Sequence, residues 1–283
     1  MSFIVPTVTW NNVTLSRLLV GHNPFKAQSH FTAEMDAEMG AWFADRERIV
    51  EQLQRCEECG ITTAQFGGEV PHWALEEHKR RGGHMNWVAT FYGNTEGDLG
   101  AGPQLAHGEE LEAILRVNPR PIGLQHFGAN TDTMFMNHMM PVVRERMKWL
   151  RDTGCLVGVG THLPEVVELC EEQGWDVDFY ETCFYTVYSH TREGIRRESE
   201  YFDDDDRDAM VKVIKQASKP CLAFKVLGGN RKCGTDAEVR AALEFAYANI
   251  KPNDVVCLGM WQKYRDQVAE DAALVSEILA SGL

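Results

Sequence analysis

The sequence predicts an α/β fold, a (β/α)8 TIM barrel occupying residues 1–283 as one domain. Three observations point there. Eight short apolar runs alternate with eight amphipathic stretches whose apolar residues recur at helical spacing. No linker or shift of composition divides the chain. None of the eight runs is short and charged, as the edge of an open sheet should be, so the sheet is expected to close.

Residues 1–12 read as a lead-in. Leu15–Gly21 is the first strand, stopped by Pro24, and 25–43 is a long connection carrying Ser29, His30 and Phe31. Arg46–Cys59 has Ile49, Val50, Leu53 and Cys56 on one helical face and ends at Gly60. The second strand, Ile61–Phe66, breaks at Gly67 and Gly68, and the helix Pro71–Arg81 follows. Asn86–Tyr92 is the third strand, with a helix at 108–117. The fourth strand is 121–126 and its helix 139–153. The fifth is 155–161, after which Pro164 suits the first turn of a helix that runs to Gln173. The sixth, 177–183, leads into a second long connection, 184–201. Asp203–Asp206 reads as an N-cap and acidic first turn for the helix 207–217, where carboxylates meet the positive end of the dipole. Cys221–Leu227 is the seventh strand, followed by Gly228, Gly229, Asn230 and Arg231. Val239, Ala242, Leu243, Ala246 and Ile250 mark the next helix; Asp254–Met260 is the eighth strand and 264–280 the last helix.

The net charge of −14, from 28 basic and 42 acidic residues, disfavours nucleic acid or an anionic membrane as partner. The N-terminus lacks the basic and apolar regions of a signal peptide, and no run approaches a membrane span. The eight cysteines are scattered; Cys56 and Cys59 form a lone CxxC with no second pair to make a zinc ribbon. Free thiols fit a reducing cytoplasm.

Side chains at strand carboxyl ends converge on one mouth of a barrel. Three apolar runs between Pro121 and Tyr185 end on reactive groups, His126, His162 and Glu181, and Lys225 ends the seventh strand. These are the candidate catalytic residues. His22, His30, Gln65, Tyr92, Asn94, Tyr185, Asn230, Arg231 and Trp261 are the candidate substrate-binding residues: carboxamides and charges bond hydroxyls, and aromatic faces cover sugar C–H surfaces. Glu69 and Asp132 stand beside them, and His190 and Arg192 in the second long connection are lid candidates. Imidazoles plus a carboxylate also suit a divalent metal such as zinc, manganese or iron, which makes His22, His126, His162 and Glu181 a candidate ligand set. Without a metal, a histidine is a general base near neutral pH, and a buried lysine is a charged binding group or an amine nucleophile.

Residues Glu165–Tyr180 resemble the passage from helix 5 to strand 6 of the aldo-keto reductases. Val255–Met260 with Tyr264–Asp271 resembles that family's last strand and helix, and Leu124-Gln125-His126 its fourth strand, which ends in a catalytic histidine. The resemblance implies the same barrel. It also implies a tetrad of Asp, Tyr, Lys and His with NADP as cofactor, and here the sequence departs: the first three positions fall at Thr62-Thr63-Ala64, near Gly67 and near Phe91. Only His126 remains.

The residues therefore point to an enzyme acting on a small polar, carbohydrate-like carbonyl substrate by acid–base proton abstraction, with or without a metal: a lyase, isomerase or epimerase. The second reading is a divergent NAD(P)-dependent oxidoreductase. The third is a barrel that binds a small ligand without turnover. A homo-oligomer is compatible with all three.

Overall fold

The computed structural model describes residues 4–67, 72–94, 107–187 and 200–282. Glu69, His190, Arg192, Arg196 and Arg197 lie outside the described residues.

The chain opens with an antiparallel hairpin, β1 (Thr7–Trp10) and β2 (Val13–Ser16), turning at Asn11 with φ of 51°. Eight parallel strands then close into a barrel: β3 (Leu18–Gly21), β4 (Thr63–Gly67), β5 (Asn86–Phe91), β6 (Gly123–His126), β7 (Leu156–Thr161), β8 (Phe179–Cys183), β9 (Cys221–Phe224) and β10 (Val255–Leu258), which pairs back onto β3. The helices are α1 (Ala33–Phe43), α2 (Glu47–Glu58), α3 (His72–Arg80), α4 (His107–Arg116), α5 (Gly128–Met136), α6 (Met140–Arg151), α7 (Pro164–Glu172), α8 (Asp204–Gln216), α9 (Asp236–Asn249) and α10 (Gln267–Ala280). Among the described residues no helix is long and apolar enough to cross a membrane.

The strand period of two splits the apolar residues into two clusters. Leu18, Val20, Ala64, Phe66, Trp87, Phe91, Leu124, Val157 and Val159 face the helices. Leu19, Val88, Leu156, Phe179, Leu222 and Val255 fill the barrel, together with Trp10 and Leu15 of the hairpin. The hairpin thus closes the amino-terminal end of the barrel, which leaves the carboxyl end as the open mouth.

Expectation and structure agree on the barrel and differ at four places. Residues 1–12 are no mere lead-in, because half of the hairpin lies there. The first barrel strand consequently starts at Leu18, and Leu15 and Ser16 belong to β2. The connection 25–43 contains α1, whose N-cap Thr32 accepts from the Met35 amide. A further helix, α5, sits between β6 and α6. The seventh strand ends at Phe224, and Lys225 turns the chain with φ of 56°. The acidic run behaves as expected: Asp203 caps α8 and Asp204–Asp206 form its first turn. Pro164 begins α7. All eight cysteines are free thiols, and Cys56 and Cys59 are buried at the end of α2.

Candidate active site

A cavity of about 1450 Å³ opens at the carboxyl ends of the strands. Of the residues expected at the mouth, His22, His30, Gln65, Tyr92, His162, Glu181, Lys225, Asn230 and Trp261 line it. Four do not. His126 is fully buried on the outer side of β6, because Gln125 takes the inward position and the next residue must point out. There its Nδ1 meets Thr131 Oγ1 at 2.8 Å and its Nε2 meets the Arg146 guanidinium at 3.2 Å. Asn94 is buried beneath α5, its Oδ1 accepting from Asn130 Nδ2 at 2.9 Å. Tyr185 is buried against Phe202, ring centroids 5.3 Å apart. Arg231 donates to the carbonyls of His30, Gly228 and Gly229 and lies over the Phe202 ring, so it braces two loops instead of facing the cavity.

The inward positions just below the mouth are polar. Gln65 and Gln125 both donate to Thr90 Oγ1, at 2.9 and 3.0 Å. Strand β7 presents glycine here, since a Cβ at Gly160 would lie 2.5 Å from Gln125 Oε1. Glu181, opposite Gly160 in the β7–β8 register, is 5% exposed. Burial pushes its carboxyl up to about 8, against smaller opposing effects from the Gln125 amide and Lys225. Gln125 Oε1 has no hydrogen-bond partner among the described residues.

His162 follows β7 directly. Its Nδ1 meets Asp132 Oδ2 at 2.7 Å, and both side chains are 4% exposed. Asp132 comes from α5 and also accepts from Thr161 Oγ1 at 2.5 Å and from the His162 amide. This carboxylate fixes the ring and commits Nδ1, so proton transfer by His162 would run through Nε2. Gly128 lets the start of α5 sit close to the end of β7: a Cβ there would lie 3.1 Å from the Thr161 amide nitrogen.

At the same mouth, Lys225 Nζ lies 2.8 Å from His30 Nε2, and His30 Nδ1 lies 2.7 Å from Glu200 Oε1. Burial holds both the lysine and the histidine below their ordinary pKa values. His22, with Nδ1 at 3.2 Å from the Gln65 carbonyl, is pushed down to about 3 by burial and by Lys26, so it is a neutral imidazole.

The candidate metal set does not assemble. His126 faces away from His22, His162 and Glu181, and among the described residues no group of three or more His, Cys, Asp or Glu side chains is placed to hold a metal ion. A nicotinamide dinucleotide phosphate does not fit the residues either. The lobe of the cavity beside the starts of α9 and α10 holds Arg265, paired with Asp236 at 2.8 Å and with Glu270 at 2.5 Å, and Arg240, paired with Glu277 at 3.0 Å. Asp271 lines the same lobe and burial pushes it up to about 7. A phosphate would face carboxylates there, without an uncommitted arginine among the described residues. Of the reductase-type tetrad, Thr63 and Gly67 are non-ionisable, Phe91 packs in the outer cluster, and His126 is behind the barrel wall.

Sequence reasoning weighed Asp132 but did not pair it with His162, and it passed over Thr90, Gln125 and Glu200. Gln125 was recoverable from parity: Leu124 belongs with the helices, so Gln125 must face inward.

No protein-family model matches the chain, and no curated protein matches it in sequence. Solved structures do match. A protein of Pseudomonas aeruginosa assigned to the aldo-keto reductases superposes with a TM-score of 0.62 at 14% identity, over 97% of this chain and 95% of that one. The glycerol dehydrogenase of Gluconobacter oxydans gives 0.57 at 12%, over 97% and 95%. An archaeal fructose-1,6-bisphosphate aldolase, with its catalytic lysine bound to a carbinolamine intermediate, gives 0.53 at 13%, over 92% of each chain. At these identities the likeness is one of fold: the chain shares the closed eight-stranded barrel of aldo-keto reductases and of a sugar-phosphate aldolase, and the side chains at its mouth are its own.

Proposed function

We propose that this barrel is an enzyme that moves a proton at the carbon next to the carbonyl of a small hydroxylated substrate, as a lyase, isomerase or epimerase does. The observation that carries the reading is the pairing, in one cavity, of an acid held protonated and a histidine oriented as a base. Glu181 keeps its proton near neutrality because burial disfavours the carboxylate. His162 is set by Asp132 with one nitrogen committed. A carboxyl held protonated beside an imidazole fixed by a carboxylate is an arrangement suited to general acid–base chemistry. His162 takes the proton from carbon, Glu181 supplies one to oxygen, and Lys225 stabilises the charge that develops on the carbonyl. Gln65, Tyr92, Asn230 and Trp261 supply the polar and aromatic contacts that a hydroxylated compound needs. The sugar-phosphate aldolase among the similar folds is consistent with this class. The oxidoreductase reading is supported by fold alone, and among the described residues neither an uncommitted arginine beside α9 and α10 nor the tetrad is in place.

The test is exchange of carbon-bound hydrogen in deuterium oxide, followed by proton NMR with a panel of small hydroxyaldehydes and hydroxyketones. The wild type should exchange at least one compound. Because general acid–base groups contribute about 10²–10⁴-fold, His162→Gln and Asp132→Asn should slow exchange by about two orders of magnitude. Wild-type exchange that survives intact in both variants sinks the assignment. An unchanged NADPH fluorescence on adding the protein is expected; quenching would revive the oxidoreductase reading.

A further inference from the structure

Lys225 has an unusual partner for a lysine in a barrel. Among the described residues it makes no ion pair with a carboxylate; its hydrogen bond runs to His30 Nε2, and the carboxylate of Glu200 is spent on the far side of that ring. Glu200 holds a proton on His30 Nδ1, so Nε2 presents a lone pair to the lysine nitrogen. The ring is held in place from both loops: Arg231 donates to the His30 carbonyl at 2.8 Å and Asn230 to the Ser29 carbonyl at 3.0 Å, while His30 itself takes a φ of 57°. A lone ammonium would be served better by a carboxylate than by an imidazole. A lysine that must give up a proton is served better by the imidazole.

We propose that Lys225 is an amine nucleophile that forms an imine with the carbonyl substrate, with His30, positioned by Glu200, as the acceptor of its proton. The proposal rests on the proton-transfer reading above and gives Lys225 its chemical role in it. His30 takes one hydrogen from the ammonium. The freed lone pair forms the C–N bond, and the carbonyl π pair moves to oxygen. The oxygen takes a proton from Glu181, and the nitrogen, which still carries two hydrogens, returns one to the Glu181 carboxylate. The hydroxyl then takes the proton held by His30 and leaves as water while the nitrogen lone pair closes the C=N bond, giving an iminium that keeps its last hydrogen. Ammonium plus carbonyl thus become iminium plus water, with no oxidant or reductant. The iminium is then the electron sink for the carbanion that His162 generates. The groups facing Lys225 are consistent with a neutral amine at the moment of attack. Glu181 and Cys183 on β8 and Cys257 on β10 are all held towards their uncharged forms by burial, and His22 is neutral. Glu200 is the anion, and His30 stands between it and the lysine.

The probe is pentane-2,4-dione, a small diketone that condenses with unprotonated lysine to a stable, ultraviolet-absorbing enaminone and is small enough for the cavity. The full-length protein is treated at pH 7 and digested, and labelled lysines are identified by peptide mass spectrometry. Expected is labelling of Lys225 at least about tenfold faster than any other lysine. His30→Gln should slow labelling at pH 7 and move its pH profile to higher pH, an effect that mere loss of packing would not produce. Lys225 labelled no faster than surface lysines, in protein with an unchanged circular dichroism spectrum, overturns the imine. The two readings fail separately: proton exchange without Lys225 labelling removes only the covalent step, whereas Lys225 labelling without exchange removes the role of His162 and Glu181.

Discussion

Glu181 is a single carboxyl whose ionisation the barrel opposes, and that opposition is measurable as stability. Its folded value is about 8 against an ordinary 4.5, so between those limits the unfolded chain has lost a proton that the folded chain still holds. The sign follows from linkage: the folded state binds more protons, so the stability this group contributes is fully present below about pH 4.5 and falls as pH rises towards 8, where it levels off. At about 1.4 kcal/mol for each unit of displacement, the loss over that interval is on the order of several kcal/mol. A glutamine at this position would mimic the protonated acid and titrate nowhere. Urea unfolding of wild type and Glu181→Gln at pH 5 and pH 8 should therefore show the variant gaining on the wild type as pH rises, while proton exchange drops by about 10²-fold or more. Parallel stability curves would mean that Glu181 ionises freely in the folded protein. That Glu181, His162 and Lys225 line the mouth was legible from the chain alone, because each closes an apolar run, although Glu181 lies within β8 and Lys225 one residue past β9. Their partners were not. Asp132 and Glu200 reach His162 and His30 across 30 and 170 residues, and no local pattern records such contacts.

Strand β6 shows how one residue of register decides which side of the wall a side chain serves. Leu124 and His126 share one face and Gly123 and Gln125 the other, so the histidine singled out by its resemblance to a reductase residue ends among Phe91, Thr131 and Arg146. It occupies a buried polar position beside a guanidinium that is itself 1% exposed. Removing one partner of such a pair costs about 1–3 kcal/mol through the polar group left behind. His126→Leu should lower the unfolding free energy by that amount and leave diketone labelling and proton exchange within about twofold of wild type at about 20 °C. A loss of exchange without a loss of stability would return His126 to the chemistry. The strand boundaries were legible because apolar runs and glycine stops mark them. The parity was legible too, through Leu124, yet a motif likeness pointed to the wrong neighbour. Helix α5 was hidden for a different reason: its buried face carries Gly128, Asn130, Thr131 and Asp132, a polar face serving the site, and periodicity of apolar residues cannot announce it.

At the scale of the molecule, a closed barrel has two ends and the chain treats them oppositely. The carboxyl end is open and polar. The amino end is covered by the hairpin, whose Trp10 is 2% exposed, lies 5.3 Å from the Phe179 ring and donates from Nε1 to the Asn253 carbonyl at 2.7 Å. Phe179 in turn fills the space left by Gly158, where a Cβ would come within 2.3 Å of the ring. Trp10, Phe179 and Gly158 thus form one continuous stack from the closed end into the barrel, and the polar layer of Gln125 and Glu181 rests directly above it. Truncation of a buried aromatic typically costs about 3–5 kcal/mol, so Trp10→Ala should lower the unfolding free energy by that order in urea. The milder Trp10→Phe, which keeps the ring and loses the hydrogen bond, should lose about 1 kcal/mol. Both variants, while folded, should retain selective labelling at the mouth, because Lys225, His30 and Glu200 are held by the loops at the opposite end. If Trp10→Ala instead abolished labelling with little change in stability, the hairpin would have to be coupled to the site and not serve as the closure of the barrel floor.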